Sequence, residues 1–251
     1  MEGYIKSITI NEIATITFFH PQSNSLPGAL LRQLAEEISK AGNDDNAKVI
    51  VLQSEGIGAF CAGASFDEMI AIKDFETGKI FFSGFAMVVN AIRNAPKFVI
   101  ARVQGKAVGG GVGIASASDY TLGVETASIK LSELAIGIGP FVIGPAVSRK
   151  IGSSAFASLA INATEWRSAQ WALEKGLYAD IYKTVEEMDT AIASLTDKLS
   201  KSNPEAMKML KKDFWAGTEH WDALLMEKAE IVSKLALSDF TINAINKFKK
   251  K

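Results

Sequence analysis

The sequence predicts an α/β fold in which strand, strand and helix alternate as successive turns of a spiral, followed by a C-terminal helical region. Two largely apolar segments, residues 49–52 and 99–103, have the composition of buried strands, and a helical segment at residues 82–94 separates them. A helix between two buried strands implies a crossover connection between parallel strands. From residue 146 onward, strand patterns almost vanish. We therefore divide the chain into a core at residues 1–185 and a helical region at residues 186–251.

The first predicted element is a β-hairpin. Residues 5–10 and 14–19 alternate apolar and polar side chains on either side of a turn at Asn11 and Glu12. After an irregular loop, an apolar stripe with helical spacing predicts a helix from residue 26 to about residue 42. The remaining predictions are short strands at residues 122–124 and 129–131, and helices at residues 113–118, 146–151, 154–161, 168–175, 185–202, 204–216 and 220–236.

Composition and charge exclude several classes of function. A formal net charge of −1 over 251 residues and a pI near 6.2 provide no basic surface for nucleic acid, and the basic tail at residues 249–251 is expected to be solvated. The one cysteine, Cys61, allows no internal disulfide and suits a reducing compartment. His20 and His220 are too few for a histidine-rich metal site, so we expect no metal. Without a signal-peptide core or an apolar run of ~18 residues, we expect a cytoplasmic protein with no membrane partner.

Two turns rich in glycine and alanine follow the two buried strands. One contains Gly109, Gly110 and Gly111, and the other lies within residues 60–69. Such turns lie at one edge of a parallel sheet, so their backbone N–H groups can converge on one point and form an oxyanion hole. The glycines match neither G-x-G-x-x-G nor a phosphate loop ending in Gly-Lys-Ser/Thr, so no nucleotide site is expected. Taken alone, they are equally consistent with a helix packed closely on a sheet.

Two side chains near these turns are candidates for chemistry. Cys61 has no nearby histidine and no thiol-enzyme motif, so we interpret it as a small core residue. Glu133 is flanked by Leu131, Leu134 and Ile136, and apolar surroundings would raise its pKa toward the range that suits a base. On the residue pattern alone, a solvent-facing carboxylate at the end of a strand is the simpler interpretation of Glu133.

Three segments in this order resemble the enoyl-CoA hydratase/isomerase (crotonase) family. They are Ala-Phe-Cys-Ala-Gly-Ala at residues 59–64, Val-Gly-Gly-Gly-Val-Gly at 108–113 and Ser-Glu-Leu-Ala-Ile-Gly-Ile-Gly-Pro at 132–140. The resemblance extends from residue 13 to about residue 182. It implies a crotonase-like fold, an acyl-CoA thioester substrate, and trimers or hexamers formed through the C-terminal helices. It implies no separate cofactor, because coenzyme A is part of the substrate.

The resemblance also implies roles for individual residues. The backbone N–H groups of Ala64 and Gly110 would hold the thioester oxygen, and Glu133 would face the α-carbon as acid and base. A thioester α-proton is removable near neutral pH only if preorganised donors stabilise the enolate oxygen, so these three roles belong together. The residues expected to contact coenzyme A are Ser23, Ala62, Ala64, Ser65 and Phe66, and those expected to line the substrate pocket are Met69 and Phe141.

The chain departs from the hydratases of that family. Gly113 stands where they carry a second glutamate, and Phe141 stands where they carry a glycine. Ser65 stands where many members carry an aspartate, for which Asp67 or Glu68 could substitute, although acidic residues there would also stabilise a helix N-terminus.

A single positioned carboxylate favours an enoyl-CoA isomerase, because one base can move a proton from C2 to C4 without an ordered water. Pro140 and Phe141 also resemble the Pro-Phe of family isomerases. One alternative is an enoyl-CoA hydratase, including the methylglutaconyl-CoA type. The other is a catalytically idle acyl-CoA-binding member of the family.

Overall fold

A computed structural model describes residues 2–249 and contains two β-sheets packed against helices. The strands are β1 (Tyr4–Ile10), β2 (Ile13–Phe19), β3 (Val49–Ser54), β4 (Phe98–Val103), β5 (Ala107–Val108), β6 (Tyr120–Val124), β7 (Ser128–Lys130), β8 (Arg167–Ser168) and β9 (Asp180–Tyr182). The helices are α1 (Gly28–Asn43), α2 (Phe66–Ala71), α3 (Phe75–Asn94), α4 (Gly110–Ala117), α5 (Gly144–Ile151), α6 (Ser153–Ile161), α7 (Ala169–Glu174), α8 (Val185–Ser200), α9 (Pro204–Phe214), α10 (Trp221–Ala236) and α11 (Asp239–Lys249), with one 3-10 helix at Glu133–Ile136. None of the helices within residues 2–249 is both long and apolar enough to cross a membrane.

A six-stranded sheet in the order β1-β2-β3-β4-β6-β9 forms the frame of the molecule. The first two strands form an antiparallel hairpin, and every later pair of neighbours is parallel. Consecutive residues of β3 and β4 are buried, which requires cover on both faces of the sheet. This arrangement confirms the predicted α/β class, with parallel strands joined through helices.

A second sheet of three short strands, β5-β7-β8, carries the glycine turn at its edge. Ala107 pairs with Ile129 across β5 and β7. The same residue forms an isolated bridge with Cys61, and the Val108 amide donates to the Cys61 carbonyl at 2.9 Å. Backbone hydrogen bonds therefore join the two turns that the sequence predicts to converge.

Most predicted elements are present, with shifted ends. The hairpin turns at Asn11 and Glu12, whose φ angles of 50° and 64° are typical of a type I′ turn. The helix predicted at residues 82–94 begins earlier, at Phe75, because the Asp74 side chain caps it by accepting from the Thr77 amide. The strand predicted to run through residue 131 ends at Lys130. The predictions also omit the short strands β5, β8 and β9, the helix α11 and the 3-10 helix.

The C-terminal helices pack on the core of their own chain. The buried face of α10 includes Leu225 and Val232 and lies along α3. In α9, Lys211 forms a buried ion pair with Asp119. This packing buries part of the apolar surface of α10, but Ile231 on the same helix is 36% exposed. The trimer or hexamer and the division at residue 185 stay predictions, and residues 250 and 251 of the basic tail lie outside the described residues.

Candidate active site

The two glycine turns line one cavity with a volume of about 390 Å³. Gly63 has a φ of 90°, and a Cβ atom placed on it would lie 3.6 Å from the Gly110 amide nitrogen. Ala64 and Gly110 both line the cavity. Within residues 2–249, the structure gives neither of their N–H groups a hydrogen-bond acceptor. Gly110 also begins α4, so the positive end of this helix dipole lies at the cavity wall.

The carboxyl group of Glu133 lies beside the same turn. A Cβ atom placed on Gly109 would be 2.9 Å from Glu133 Oε1. The residue as a whole is partly exposed, but its Oε2 atom is buried and has no hydrogen-bond partner among the described residues. Burial in these surroundings raises the pKa of Glu133 from 4.5 to about 7. A carboxyl group with this pKa can both accept and return a proton near neutral pH.

The 3-10 helix changes which neighbours surround Glu133. Leu134, which the sequence predicts to be part of its apolar surroundings, is 51% exposed because the single helical turn directs it away from the cavity. Ile136 of the same turn does line the cavity, as the sequence predicts, and most of the remaining apolar wall comes from other parts of the chain: Phe82, Phe85, Ile138, Val142, Ile143 and Val232. The predicted apolar environment is therefore present, but most of it comes from elsewhere in the chain.

Glu133 is the one carboxylate among the described residues that lines the cavity. A Cβ atom placed on Gly113 would lie 2.3 Å from Ile143 Cγ2, so Ile143 already fills the space that a side chain there would need. Asp67 and Glu68 do not line the cavity. The Glu68 carboxylate accepts from the Gly28 amide at 2.8 Å, and Asp67 accepts from the Gln22 side chain at 2.8 Å. These two acids therefore support the surrounding loops and do not reach the cavity.

The other predicted site residues divide into two groups. Those that line the cavity are Ala62, Phe66, Met69 and Phe141. Ser23 and Ser65 are not among the lining residues. The Ser23 carbonyl accepts from the Ala62 amide at 3.2 Å, and the Ser65 hydroxyl caps α2 by accepting from the Glu68 amide. Contacts between these residues and coenzyme A stay predictions.

Cys61 supports the glycine turn. A Cβ atom placed on Gly111 would lie 2.4 Å from the Cys61 carbonyl oxygen, so the two backbones are in close contact. Burial raises the pKa of the Cys61 thiol to about 12, which leaves almost no thiolate at neutral pH. The geometry agrees with the interpretation of Cys61 as a core residue.

Lys130 and Thr164 are among the cavity residues that the sequence predictions do not include. A signal for Lys130 exists in the sequence, since it alternates with two apolar residues in a short strand. Both neighbours, Ile129 and Leu131, are buried, so the alternation of a strand directs Lys130 to the opposite face, where the cavity lies. Thr164 lies in a loop and carries no comparable signal.

Known proteins are similar to this chain in both sequence and fold. The enoyl-CoA hydratase/isomerase family model matches residues 9–241. The methylglutaconyl-CoA hydratase of Rattus norvegicus is 31% identical over 200 residues, which cover 78% of this chain and 63% of that longer protein. The short-chain-enoyl-CoA hydratase of Clostridium acetobutylicum is 29% identical over 203 residues, 80% of this chain and 77% of that protein. The enoyl-CoA hydratase structure from Bacillus halodurans has a TM-score of 0.90 and 21% identity, and the match covers 97% of this chain and 99% of that one. The chain belongs to the enoyl-CoA hydratase/isomerase family, and its fold is that of the crotonases.

Proposed function

We propose that this family member stabilises a thioester enolate with the N–H groups of Ala64 and Gly110 and transfers a proton with Glu133. Three features support the proposal: both N–H groups are without an acceptor in the described chain, both residues line the cavity, and the Glu133 carboxyl group lies beside the same turn. Each preorganised donor of this kind contributes roughly 10²–10³ in rate. The expectation that no cofactor besides substrate coenzyme A takes part belongs to this proposal.

Within that chemistry, we infer that the protein isomerises 3-enoyl-CoA to 2-enoyl-CoA. The Glu133 carboxylate would take a proton from C2, and the electron pair of that C–H bond would form the enolate. The same carboxyl group would then return the proton to C4, while the double bond moves from C3–C4 to C2–C3. The observation that carries this inference is the cavity with Glu133 as its one carboxylate among the described residues, because the shuttle needs a single acid and base.

Hydration of 2-enoyl-CoA is the second candidate, and the names of the relatives favour it. Relatives at 29% and 31% identity are named as hydratases. Addition of water needs a positioned water as well as a proton donor, and Ile143 fills the space beside Gly113 where another carboxylate could help to hold it. Loss of such a positioning group could slow hydration by about 10²-fold or more.

The two reactions are distinguished by supplying 3-enoyl-CoA and 2-enoyl-CoA separately and measuring the 2-enoyl and 3-hydroxyacyl products by mass spectrometry. We expect kcat/KM for isomerisation to exceed that for hydration. Faster hydration of straight or branched 2-enoyl-CoA would reverse the assignment. Binding of acyl-CoA without turnover of any thioester in a broad panel would support a catalytically idle member, an interpretation that the buried carboxyl group of Glu133 disfavours.

A further inference from the structure

Lys130 supplies the one positive charge on the cavity wall among the described residues. Its Nζ atom lies 4.5 Å from the centre of the Trp166 ring. The Nζ atom of Lys106 lies 5.0 Å from the centre of the same ring. Within residues 2–249, neither lysine forms an ion pair with a carboxylate. Two ammonium groups therefore share one indole ring beside a largely apolar cavity, whose lining also includes the Glu133 carboxyl group.

The small sheet holds these groups in place. Lys130 pairs with Val108 across β7 and β5, and Val108 also lines the cavity. Lys106 is two residues before Val108, so the alternation of side chains places it on the same side of the chain. Trp166 immediately precedes β8, the antiparallel neighbour of β7. Backbone pairing thus fixes the positions from which these side chains extend, although Trp166 is 40% exposed and Lys106 is exposed.

We propose that Lys130, assisted by Lys106, binds an anionic group of the thioester substrate. That group is either a carboxylate at the far end of the acyl chain or a phosphate of coenzyme A. A half-exposed aromatic ring attracts cations only weakly, so two like charges beside it favour the binding of an anion. An ammonium group that pairs with a carboxylate or phosphate forms a charge-assisted hydrogen bond, which is stronger than a neutral one. The inference rests on the proposed function, because it takes this cavity to be the thioester site.

Binding of three unreactive thioesters tests the proposal without depending on which reaction the protein catalyses. Butyryl-CoA has phosphates only, glutaryl-CoA adds an acyl carboxylate, and butyryl-pantetheine has neither. Calorimetry would compare the wild type with Lys130→Met, Lys106→Met and Lys130→Arg. The matched control is Lys208→Met, at an exposed position of α9. Circular dichroism would verify that each variant is folded.

We expect Lys130→Met to weaken binding of the charged thioesters by about tenfold or more, and Lys106→Met to weaken it by less. Lys130→Arg and Lys208→Met should leave the affinities almost unchanged. A loss confined to glutaryl-CoA identifies the acyl carboxylate as the ligand. An equal loss for both coenzyme A esters, with butyryl-pantetheine unaffected, identifies a phosphate. Unchanged affinities, or an equal loss for all three thioesters, would overturn the proposal while leaving the proposed function intact. If the wild type binds none of the three, the proposed function fails and this inference fails with it.

Discussion

The raised pKa of Glu133 makes the stability of the fold depend on pH. Its pKa is about 7 in the folded chain, whereas an exposed glutamate titrates near its ordinary value of about 4.3 to 4.5. Between these values, the folded state binds more protons than the unfolded state, so the free energy of unfolding falls as pH rises from about 4.5 to about 7. The full difference corresponds to about 3 kcal/mol.

We therefore expect Glu133→Gln to become more stable than the wild type as pH rises, by up to about 3 kcal/mol at pH 8 compared with pH 4. Urea unfolding at several pH values, followed by circular dichroism, measures this difference. Glu125→Gln, at an exposed position, is the control. A stability difference between Glu133→Gln and the wild type that does not vary with pH would contradict the pKa assigned to Glu133.

The same substitution tests the chemical role of Glu133. Glutamine keeps the shape of the side chain and removes the base, so we expect kcat to fall by roughly 10²–10⁴ while butyryl-CoA still binds. In the wild type, kcat/KM should rise with pH and level off above about pH 7, because the base must be ionised. Near-normal turnover by Glu133→Gln would exclude it as the acid and base.

Gly110 contributes a backbone N–H group, which only proline removes. A Cβ atom on Gly110 would lie within 2.1 Å of Phe85 Cε1, so any substitution there requires space. We therefore compare Gly110→Pro with Gly110→Ala, both in a Phe85→Ala background, because leucine would keep a δ-carbon and Phe85 Cδ1 already lies 2.7 Å from that Cβ position. Both variants add a Cβ atom, but alanine keeps the N–H group. We therefore expect kcat/KM of Gly110→Pro to be roughly 10²- to 10³-fold lower than that of Gly110→Ala. Equal rates in two folded variants would show that this N–H group is not a catalytic donor.

The contact of α4 with Ile143, the residue that precedes α5, limits the choice of reaction. Gly113→Glu alone should destabilise the protein, since its Cβ position lies 2.6 Å from Ile143 Cβ. An alanine at position 143 would keep that Cβ atom, so only Ile143→Gly provides space. We expect the pair Gly113→Glu and Ile143→Gly to fold and to raise the rate of hydration relative to isomerisation.

Thermal unfolding and the two product assays measure these effects. The control pair, Gly113→Gln with Ile143→Gly, has the same size and lacks the charge. If both pairs hydrate 2-enoyl-CoA at the same rate, a second carboxylate is not what hydration requires.

Local patterns predict most of the elements, and long-range packing explains what they miss. The hairpin and the buried strands produce patterns among neighbouring residues. Alternating apolar and polar residues predict the hairpin, and continuous apolar segments predict the buried strands. The 3-10 helix at Glu133–Ile136 is a single turn and shows no periodicity, which is why the outward direction of Leu134 was not predictable. The convergence of the two turns follows from the edge of a parallel sheet. The contact of Ile143 with Gly113 joins residues far apart in sequence, and no local pattern indicates it.

Asp119 joins the C-terminal helices to the central sheet. Its carboxylate accepts from the Val99 amide at 2.7 Å and from Trp215 Nε1 at 3.1 Å, and it pairs with Lys211. Lys150 donates to the Asp119 carbonyl at 3.0 Å. Burial lowers the pKa of Lys211 and of Lys150, and the negative charge of Asp119 opposes that effect.

We expect Lys211→Met to destabilise the protein by about 3 kcal/mol, because the buried Asp119 charge would lose its cation. Lys208→Met, exposed on the same helix, should change the free energy of unfolding by less than about 0.5 kcal/mol. Urea unfolding at pH 7 compares the two variants. If Lys211→Met lowers the free energy of unfolding by less than about 1 kcal/mol, the remaining hydrogen bonds of Asp119 are enough to stabilise its buried charge.

The turn that follows Glu133 packs against α11. Gly137 has a φ of 87°, and a Cβ atom there would lie 2.5 Å from Thr241 Oγ1. This contact spans a large part of the sequence, and contacts between distant residues form slowly because a long loop must close first. The sheets and most helices can therefore assemble before α11 packs against the turn at Gly137, beside the Glu133 carboxyl group. On a ribosome, the proposed catalytic centre would be among the last parts of the described chain to take its final shape.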